Sequence, residues 1–165
     1  MRRMLYPRFE RLFRSLPDGV AVLTGSEGYP EIRGTVRFYQ TVYGVILLAE
    51  VTGLPVGTGR CDDPVLGLHI HGGAHCRGTA GEPFAEAGMH YNPGGCLHPF
   101  HAGDLPPLFS AGGRGFLATL TNRFTVEEVL GKTVILHGSP DDFTTQPAGN
   151  AGRRIACGEI RPARR

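Results

Sequence analysis

The chain has 165 residues, of which 41% are hydrophobic and 19% are charged. This length is typical of a single domain with a substantial core, and the composition is that of a soluble globular protein. The net charge of +2 is too small to indicate a nucleic-acid partner. No apolar stretch is long enough to predict a membrane-spanning helix.

The first part of the chain predicts a helix rather than a secretory signal. Residues 1–14 are basic, but no unbroken apolar run follows them, as a signal would require. We therefore expect a cytoplasmic protein as the sequence is written, or a periplasmic or extracellular one if a leader has been removed. Within residues 7–16, four apolar residues recur at helical spacing: Phe9, Leu12, Phe13 and Leu16. This pattern predicts a short amphipathic helix.

Short apolar or alternating runs follow, separated by turns. We predict strands in five of them: 32–39, 44–51, 65–71, 115–122 and 133–137. Residues 20–23 are a further short apolar run. Residues 41–44 are predicted to lie in a hairpin turn, and 126–129 are predicted to form one helical turn. Strands this close in sequence, with no helices between them, favour an antiparallel sandwich or flattened barrel. The predicted fold class is therefore all-β.

The chain divides into three predicted segments. A helical extension covers residues 1–18, the main domain covers 19–160, and a basic tail covers 161–165. Within the main domain, the stretches 72–113 and 138–153 are too long for plain connections between strands. Long loops on a rigid β scaffold commonly carry function.

The first candidate metal ligands lie in the predicted strand 65–71. His69 and His71 are two residues apart, so both side chains lie on the same side of a strand and can hold one ion. Two surface histidines on a strand are common, and this pattern alone does not establish a site.

A second group of candidate ligands lies in the long stretch that follows. Three imidazoles and a carboxylate fall within fifteen residues: His90, His98, His101 and Asp104. This donor set suits tetrahedral zinc. His137 ends the apolar run 133–136, where a histidine is often only an ordinary strand-end residue. Here it would supply the fourth nitrogen of a second site.

Several ordered motifs together resemble the copper–zinc superoxide dismutase family, especially its bacterial members. They are Gly67-Leu68-His69-Ile70-His71, His90-Tyr91-Asn92-Pro93, His101-Ala102-Gly103-Asp104-Leu105, and the run from His137 through Asp141-Asp142 to Gly149-Asn150-Ala151-Gly152-Arg153-Arg154-Ile155-Ala156-Cys157-Gly158. The resemblance implies an eight-stranded Greek-key β-barrel or sandwich with long zinc and electrostatic loops outside the barrel.

The same resemblance implies a role for each matching residue. Copper would be bound by His69, His71, His90 and His137. Zinc would be bound by His90, His98, His101 and Asp104, so that His90 bridges the metals and also carries a proton. Asp141 would join His69 to His98, Arg154 would attract the anionic substrate, and Cys76 would form a disulfide with Cys157.

The function implied is the dismutation of superoxide to dioxygen and hydrogen peroxide by Cu(II)/Cu(I) cycling. The cofactors would be copper and zinc, the substrate would be the superoxide anion, and a homodimer is left open. The alternative is a copper-binding or copper-delivery protein on the same fold. Delivery proteins use exchangeable Cys-x-Cys or Cys-x-x-Cys thiolates, which this sequence lacks, and no copper ligand has been lost.

The sequence departs from the family pattern in three places. Only two residues separate His98 from His101, which indicates a trimmed zinc loop. His75, which follows the first histidine pair, is not expected from the family pattern. It could be a surface residue with no role in the site or an auxiliary copper contact. Cys61 and Cys96 have no assigned counterpart, and they could form a second disulfide or remain free thiols.

Overall fold

The computed structural model describes residues 14–59 and 61–163, so almost all of the predicted helix 7–16 lies outside the described residues. Nine strands are present in this part of the chain: β1 (Gly19–Gly25), β2 (Arg33–Thr41), β3 (Gly44–Thr52), β4 (Val65–Leu66), β5 (Leu68–His71), β6 (Leu108–Ala111), β7 (Arg114–Thr121), β8 (Thr133–His137) and β9 (Arg154–Pro162). They are accompanied by a 3₁₀ turn, Ala85–Ala87, and one short helix, α1 (Val126–Val129).

The strands form one antiparallel sheet in the order β4-β6-β7-β3-β2-β1-β9-β8-β5. Its two outermost strands, β4 and β5, are consecutive in the chain and are separated only by Gly67. The amide of Gly67 donates to the carbonyl of Ser139 at 2.9 Å, and the amide of His137 donates to the carbonyl of Gly67 at 2.8 Å. The sheet therefore curls into a nearly closed barrel, which confirms the predicted β-barrel.

The strand predicted over 65–71 divides at Gly67, because its first half pairs with β6 and its second half pairs with β8. This division accounts for nine strands where eight were expected. The hairpin turn predicted at 41–44 is confirmed, since β2 ends at Thr41 and β3 begins at Gly44. Strand β1 covers the apolar run 20–23, whereas β6 and β9 were not among the predicted strands. The four residues of β6 are too few to show a period.

The helical turn predicted at 126–129 is α1, and its first turn is stabilised by a capping box. The hydroxyl of Thr125 accepts a hydrogen bond from the amide of Glu128, and the Glu128 carboxylate accepts one from the Thr125 amide at 2.6 Å. Among the described residues, no helix is both long and apolar enough to cross a membrane.

The interior of the barrel is filled by apolar side chains. Seven that are fully buried are Leu23, Phe38, Leu47, Leu68, Ile70, Leu136 and Ile155. A small barrel packed in this way has no room for a site inside it. Functional side chains must therefore lie on its outer surface, beneath the long loops.

Candidate metal centre

The barrel wall supplies three of the predicted ligands. On β5, Leu68 and Ile70 point into the core, so the alternating residues His69 and His71 lie on the outer side. β8 pairs with β5, and it ends at His137. All three imidazoles are nevertheless buried, because loops cover this part of the wall.

The loop over residues 90–104 pairs with the free edge of β5. The amide of Ile70 donates to the carbonyl of Gly103 at 2.9 Å, and the amide of Tyr91 donates to the carbonyl of Ile70 at 2.8 Å. A Cβ atom on Gly103 would lie 2.2 Å from that Ile70 carbonyl oxygen, so the loop can approach β5 this closely only with glycine there. This pairing places the loop histidines beside those of the strand.

The four histidines predicted to bind copper come together. Their candidate ligand atoms lie within 4.8 Å of one another: His69, His71, His90 and His137. The Nε2 atoms of His71 and His137 are 3.3 Å apart. Nδ1 of His69 and Nε2 of His90 are buried and have no hydrogen-bond partner within the described part of the chain. Such orphaned nitrogens are expected where a metal binds.

The opposite ring nitrogens of this group are occupied, and their partners determine the tautomers. Nδ1 of His71 donates to the carbonyl of Gly88 at 2.8 Å, and Nδ1 of His137 donates to the carbonyl of Gly152 at 3.2 Å. A carbonyl can only accept, so in the neutral ring the Nε2 lone pair is free. Both free lone pairs belong to the nitrogens that meet in the group.

The residues predicted to bind zinc also come together. The atoms of His90, His98, His101 and Asp104 that could bind an ion lie within 4.8 Å of one another. Nδ1 of His90 lies 2.8 Å from Oδ1 of Asp104, and Nδ1 of His101 lies 3.3 Å from the same oxygen. His90 therefore belongs to both groups, with one ring nitrogen in each.

The structure also brings Asp141 between the two groups. Its Oδ2 accepts a hydrogen bond from Nε2 of His69 at 2.7 Å, and its Oδ1 accepts one from Nε2 of His98 at 2.9 Å. The amide of Phe143 donates to Oδ1 as well, at 2.7 Å. Each of the two rings therefore has its proton on Nε2 and its lone pair on Nδ1.

The position of His98 suits a cation in the second group, because a neutral His98 ring would leave two acceptors facing each other. Its Nε2 donates to Asp141, so the neutral ring has only a lone pair on Nδ1. Nδ1 lies 3.1 Å from Oδ2 of Asp104 and makes no hydrogen bond with a described residue. Two acceptors facing each other in a buried site repel, and a metal ion between them would remove the repulsion.

Burial keeps the wall histidines neutral at physiological pH. It lowers the pKa of His69 to about 2 and that of His137 to about 4, and it holds the pKa of His71 well below its usual value. Burial alone would raise the pKa of Asp104, but the hydrogen bond from His90 and the neighbouring imidazoles lower it. The three wall histidines therefore offer neutral nitrogens, and the second group adds a carboxylate.

Arg154 lies at the start of β9, beside the first group. Its Nη1 donates to the carbonyl of Phe84 at 2.6 Å, and its Nη2 donates to the carbonyl of Gly88 at 2.5 Å. The Gly88 carbonyl also accepts from His71, so one oxygen contacts both the guanidinium and a candidate copper ligand. Burial lowers the pKa of Arg154, but a guanidinium remains cationic in a protein.

The cysteines and His75 are placed as follows. Cys76 and Cys157 form the predicted disulfide. Cys61 and Cys96 are exposed free thiols, so the second disulfide left open above is not formed. His75 lies outside both ligand groups, and its Nδ1 is 3.4 Å from the Glu159 carboxylate.

The structure is that of a nearly closed antiparallel β-barrel protein with a candidate two-metal centre. The two ligand groups of this centre adjoin and share one histidine, His90. A family model described as copper/zinc superoxide dismutase (SODC) matches residues 32–160. The chain therefore belongs to the copper/zinc superoxide dismutase family.

Curated bacterial proteins are similar to the chain over most of its length. "Superoxide dismutase [Cu-Zn] 2" of Aquifex aeolicus is 31% identical over 156 residues, covering 86% of this chain and 85% of that protein. "Superoxide dismutase [Cu-Zn]" of Deinococcus radiodurans is 34% identical over 146 residues, or 78% and 76% of the two chains. The protein of that name from Legionella pneumophila is 33% identical over 140 residues, or 80% of each.

Proposed function

We propose that this chain is a superoxide dismutase, which converts two superoxide anions and two protons into dioxygen and hydrogen peroxide. The observation that carries the proposal is the position of His90 between the two ligand groups. Its Nδ1 contacts Asp104, while its Nε2 lies buried and without a partner among the described residues, within the four-histidine group. The named relatives and the family match support the same activity.

The donor types favour one metal for each group. Copper would be held by four nitrogens, from His69, His71, His90 and His137. Zinc would be held by His90, His98, His101 and Asp104. Nitrogen donors suit Cu(II), whereas three imidazoles with one carboxylate suit zinc in a tetrahedral site.

When bound, copper would supply the redox couple that takes an electron from one superoxide and gives it to the next, and zinc would supply a fixed charge. His90 would supply one of the two protons, because its Nε2 can hold a proton between the two half-reactions and pass it to the reduced oxygen, and the second proton would come from solvent. An imidazole is suited to this role because it can gain and lose a proton near neutral pH.

Arg154 and Asp141 would support the reaction in different ways. The guanidinium of Arg154 is anchored by two carbonyls, so it presents its charge in one place and keeps further N–H donors for an anion. Asp141 would keep His69 and His98 in the tautomers that direct a lone pair to each metal.

The remaining partner and segment assignments are also proposals. The substrate would be the superoxide anion alone, with no nucleic-acid or membrane partner. The catalytic domain would span 19–160, between a helical extension over 1–18 and a basic tail over 161–165. A homodimer would be detected by sedimentation of the purified chain.

The test combines metal analysis with superoxide consumption in the wild type and in a His90→Ala variant. We expect one copper and one zinc per chain, one for each ligand group, and rapid consumption of superoxide by the wild type. The variant should lose most activity and show an altered copper spectrum, whereas the control His75→Ala should match the wild type. A fully metallated but inactive wild type would instead support the copper-binding alternative. A native spectrum with full activity in His90→Ala would refute the bridge.

A further inference from the structure

We infer that Gln146 and Arg123 are positioning residues for the zinc half of the centre, because each holds the backbone of the zinc loop from outside it. The inference rests on the proposed function, since it takes the group around Asp104 to be the zinc site. Neither residue has a ligating side chain or a role implied by the family resemblance, so sequence analysis did not single them out.

The zinc loop needs support from other parts of the chain. Between the strands β5 and β6, the ligand-bearing segment 90–104 contains no helix or strand of its own. Only two residues separate His98 from His101. A loop this short has few side chains of its own to hold its ligands in place.

Gln146 supplies the first support. Its Oε1 accepts a hydrogen bond from the backbone amide of His98 at 3.0 Å, and its Nε2 donates to the backbone carbonyl of His98 at 2.8 Å. The side-chain amide thus pairs with His98 as a neighbouring strand would. Asp141, in the same loop as Gln146, holds the His98 ring. Backbone and ring of this ligand are therefore both held by residues 138–153.

Arg123 supplies the second support from the other side. It follows β7, and its Nη1 lies 2.9 Å from the carbonyl oxygen of Pro99, 3.2 Å from that of His101 and 3.4 Å from that of Asp104. Two of these carbonyls belong to candidate zinc ligands. Since one guanidinium nitrogen contacts three carbonyl oxygens, Arg123 holds the backbone at both ends of the segment 99–104.

The two contacts fix different ligands, so each should matter by itself. Partners that orient metal ligands typically change metal affinity by about 10- to 100-fold. Because Gln146 and Arg123 act on the backbone rather than on the coordinating rings, we expect the lower end of this range. The copper group shares only His90 with the zinc group and should be affected less.

The experiment measures zinc binding rather than activity. Copper-free protein is titrated with Zn²⁺ against a chromophoric chelator, and Co²⁺ is bound in a parallel series for its visible spectrum. The variants are Gln146→Met and Arg123→Met, which keep the stem of each side chain but remove its hydrogen bonds. Arg123→Lys keeps the charge but not the planar fork. Arg114→Met, at the far end of β7, is the matched control for loss of one charge.

We expect Gln146→Met and Arg123→Met each to weaken zinc binding about tenfold and to shift the Co²⁺ bands. Arg123→Lys should recover part of the loss, and Arg114→Met should match the wild type. Wild-type affinity and unchanged Co²⁺ spectra in both Met variants would overturn the inference. A lower thermal midpoint of the metal-free variants with unchanged zinc affinity would overturn it too, because it would show a role in fold stability alone. A wild type that binds no zinc would overturn both this inference and the proposed function.

Discussion

Oδ2 of Asp141 accepts a hydrogen bond of 2.7 Å from Nε2 of His69, and both side chains are buried. The other oxygen of Asp141 accepts from His98, so one carboxylate determines the tautomer of a candidate ligand in each metal group. Gly149 permits this arrangement. A Cβ atom there would lie 2.0 Å from Oδ1 of Asp141 and 2.6 Å from Nε2 of His98, and its φ of 66° favours glycine.

Replacing Asp141 with Asn should impair both metal groups. The Asn amide has one acceptor oxygen and one donor nitrogen, so it can satisfy only one of the two N–H donors and opposes the other. We expect metal affinity to fall by about 10- to 100-fold, measured by competition with a chelator for each metal in turn. The control is Glu31→Gln, which neutralises an exposed carboxylate. Wild-type affinity for both metals in Asp141→Asn would contradict this role.

Arg154 should accelerate the encounter with an anionic substrate. We expect Arg154→Ala to lower the rate several-fold with both metals retained, and Arg154→Glu to lower it further through repulsion. The wild-type rate should fall with rising salt, since screening at about 0.15 M ionic strength acts over roughly 8 Å. The Ala variant should show a weaker dependence.

The measurement is a rate-against-salt series on metal-matched samples, with Arg153→Ala as the control. Arg153 is the exposed neighbour of Arg154 and carries the same charge. If Arg154→Ala kept the wild-type rate and salt slope, steering would have to come from the metals or from another arginine, such as Arg114.

The Cys76–Cys157 disulfide should contribute measurably to stability. It joins residues 81 positions apart. A loop of about eighty residues corresponds to roughly 4 kcal/mol in the chain-entropy account. The double variant Cys76→Ala/Cys157→Ala should lose about that much free energy of unfolding in denaturant titration.

The control for the disulfide is the double variant Cys61→Ser/Cys96→Ser, which alters only exposed free thiols and should stay within about 0.5 kcal/mol of the wild type. Thiol counting by mass spectrometry under non-reducing denaturation provides a direct check. Four free thiols in fully metallated, active protein would disprove the bond.

The metal-free protein should lose stability as the pH falls below about 6.5. Burial lowers the pKa of His137 to about 4 and that of His69 to about 2, whereas unfolded histidines titrate near 6.5. Below that pH the unfolded chain binds protons that the folded chain does not, so unfolding is favoured. Each group contributes at most about 1.4 kcal/mol per pH unit.

Thermal midpoints of the metal-free protein from pH 8 to pH 4 test this effect. His137→Gln should flatten the decline, because it removes one of the groups responsible. His75→Gln should leave it unchanged, since His75 is exposed. A midpoint that stayed level between pH 6.5 and pH 4 would contradict the prediction.

Much of the fold was predictable because the strands and turns are determined by patterns of neighbouring residues. The alternation over 32–39 and the turn at 41–44 each depend on neighbouring residues, and the structure has β2 and β3 in these places. Two features were not predictable from the pattern. β6 is too short to show a period. The division at Gly67 arises because the two halves of the run 65–71 pair with different strands, β6 and β8.

The candidate site was also predictable only in part. The sequence by itself determined the donor types and their local spacing, because the two-residue period of a strand places His69 and His71 on one side. Only the tertiary structure decided that His90 faces both groups, that Asp141 lies between His69 and His98, and that the backbone supports come from Gln146 and Arg123. These relationships join positions 14 to 72 residues apart, and they exist only once the barrel has closed and two loops have packed against its wall.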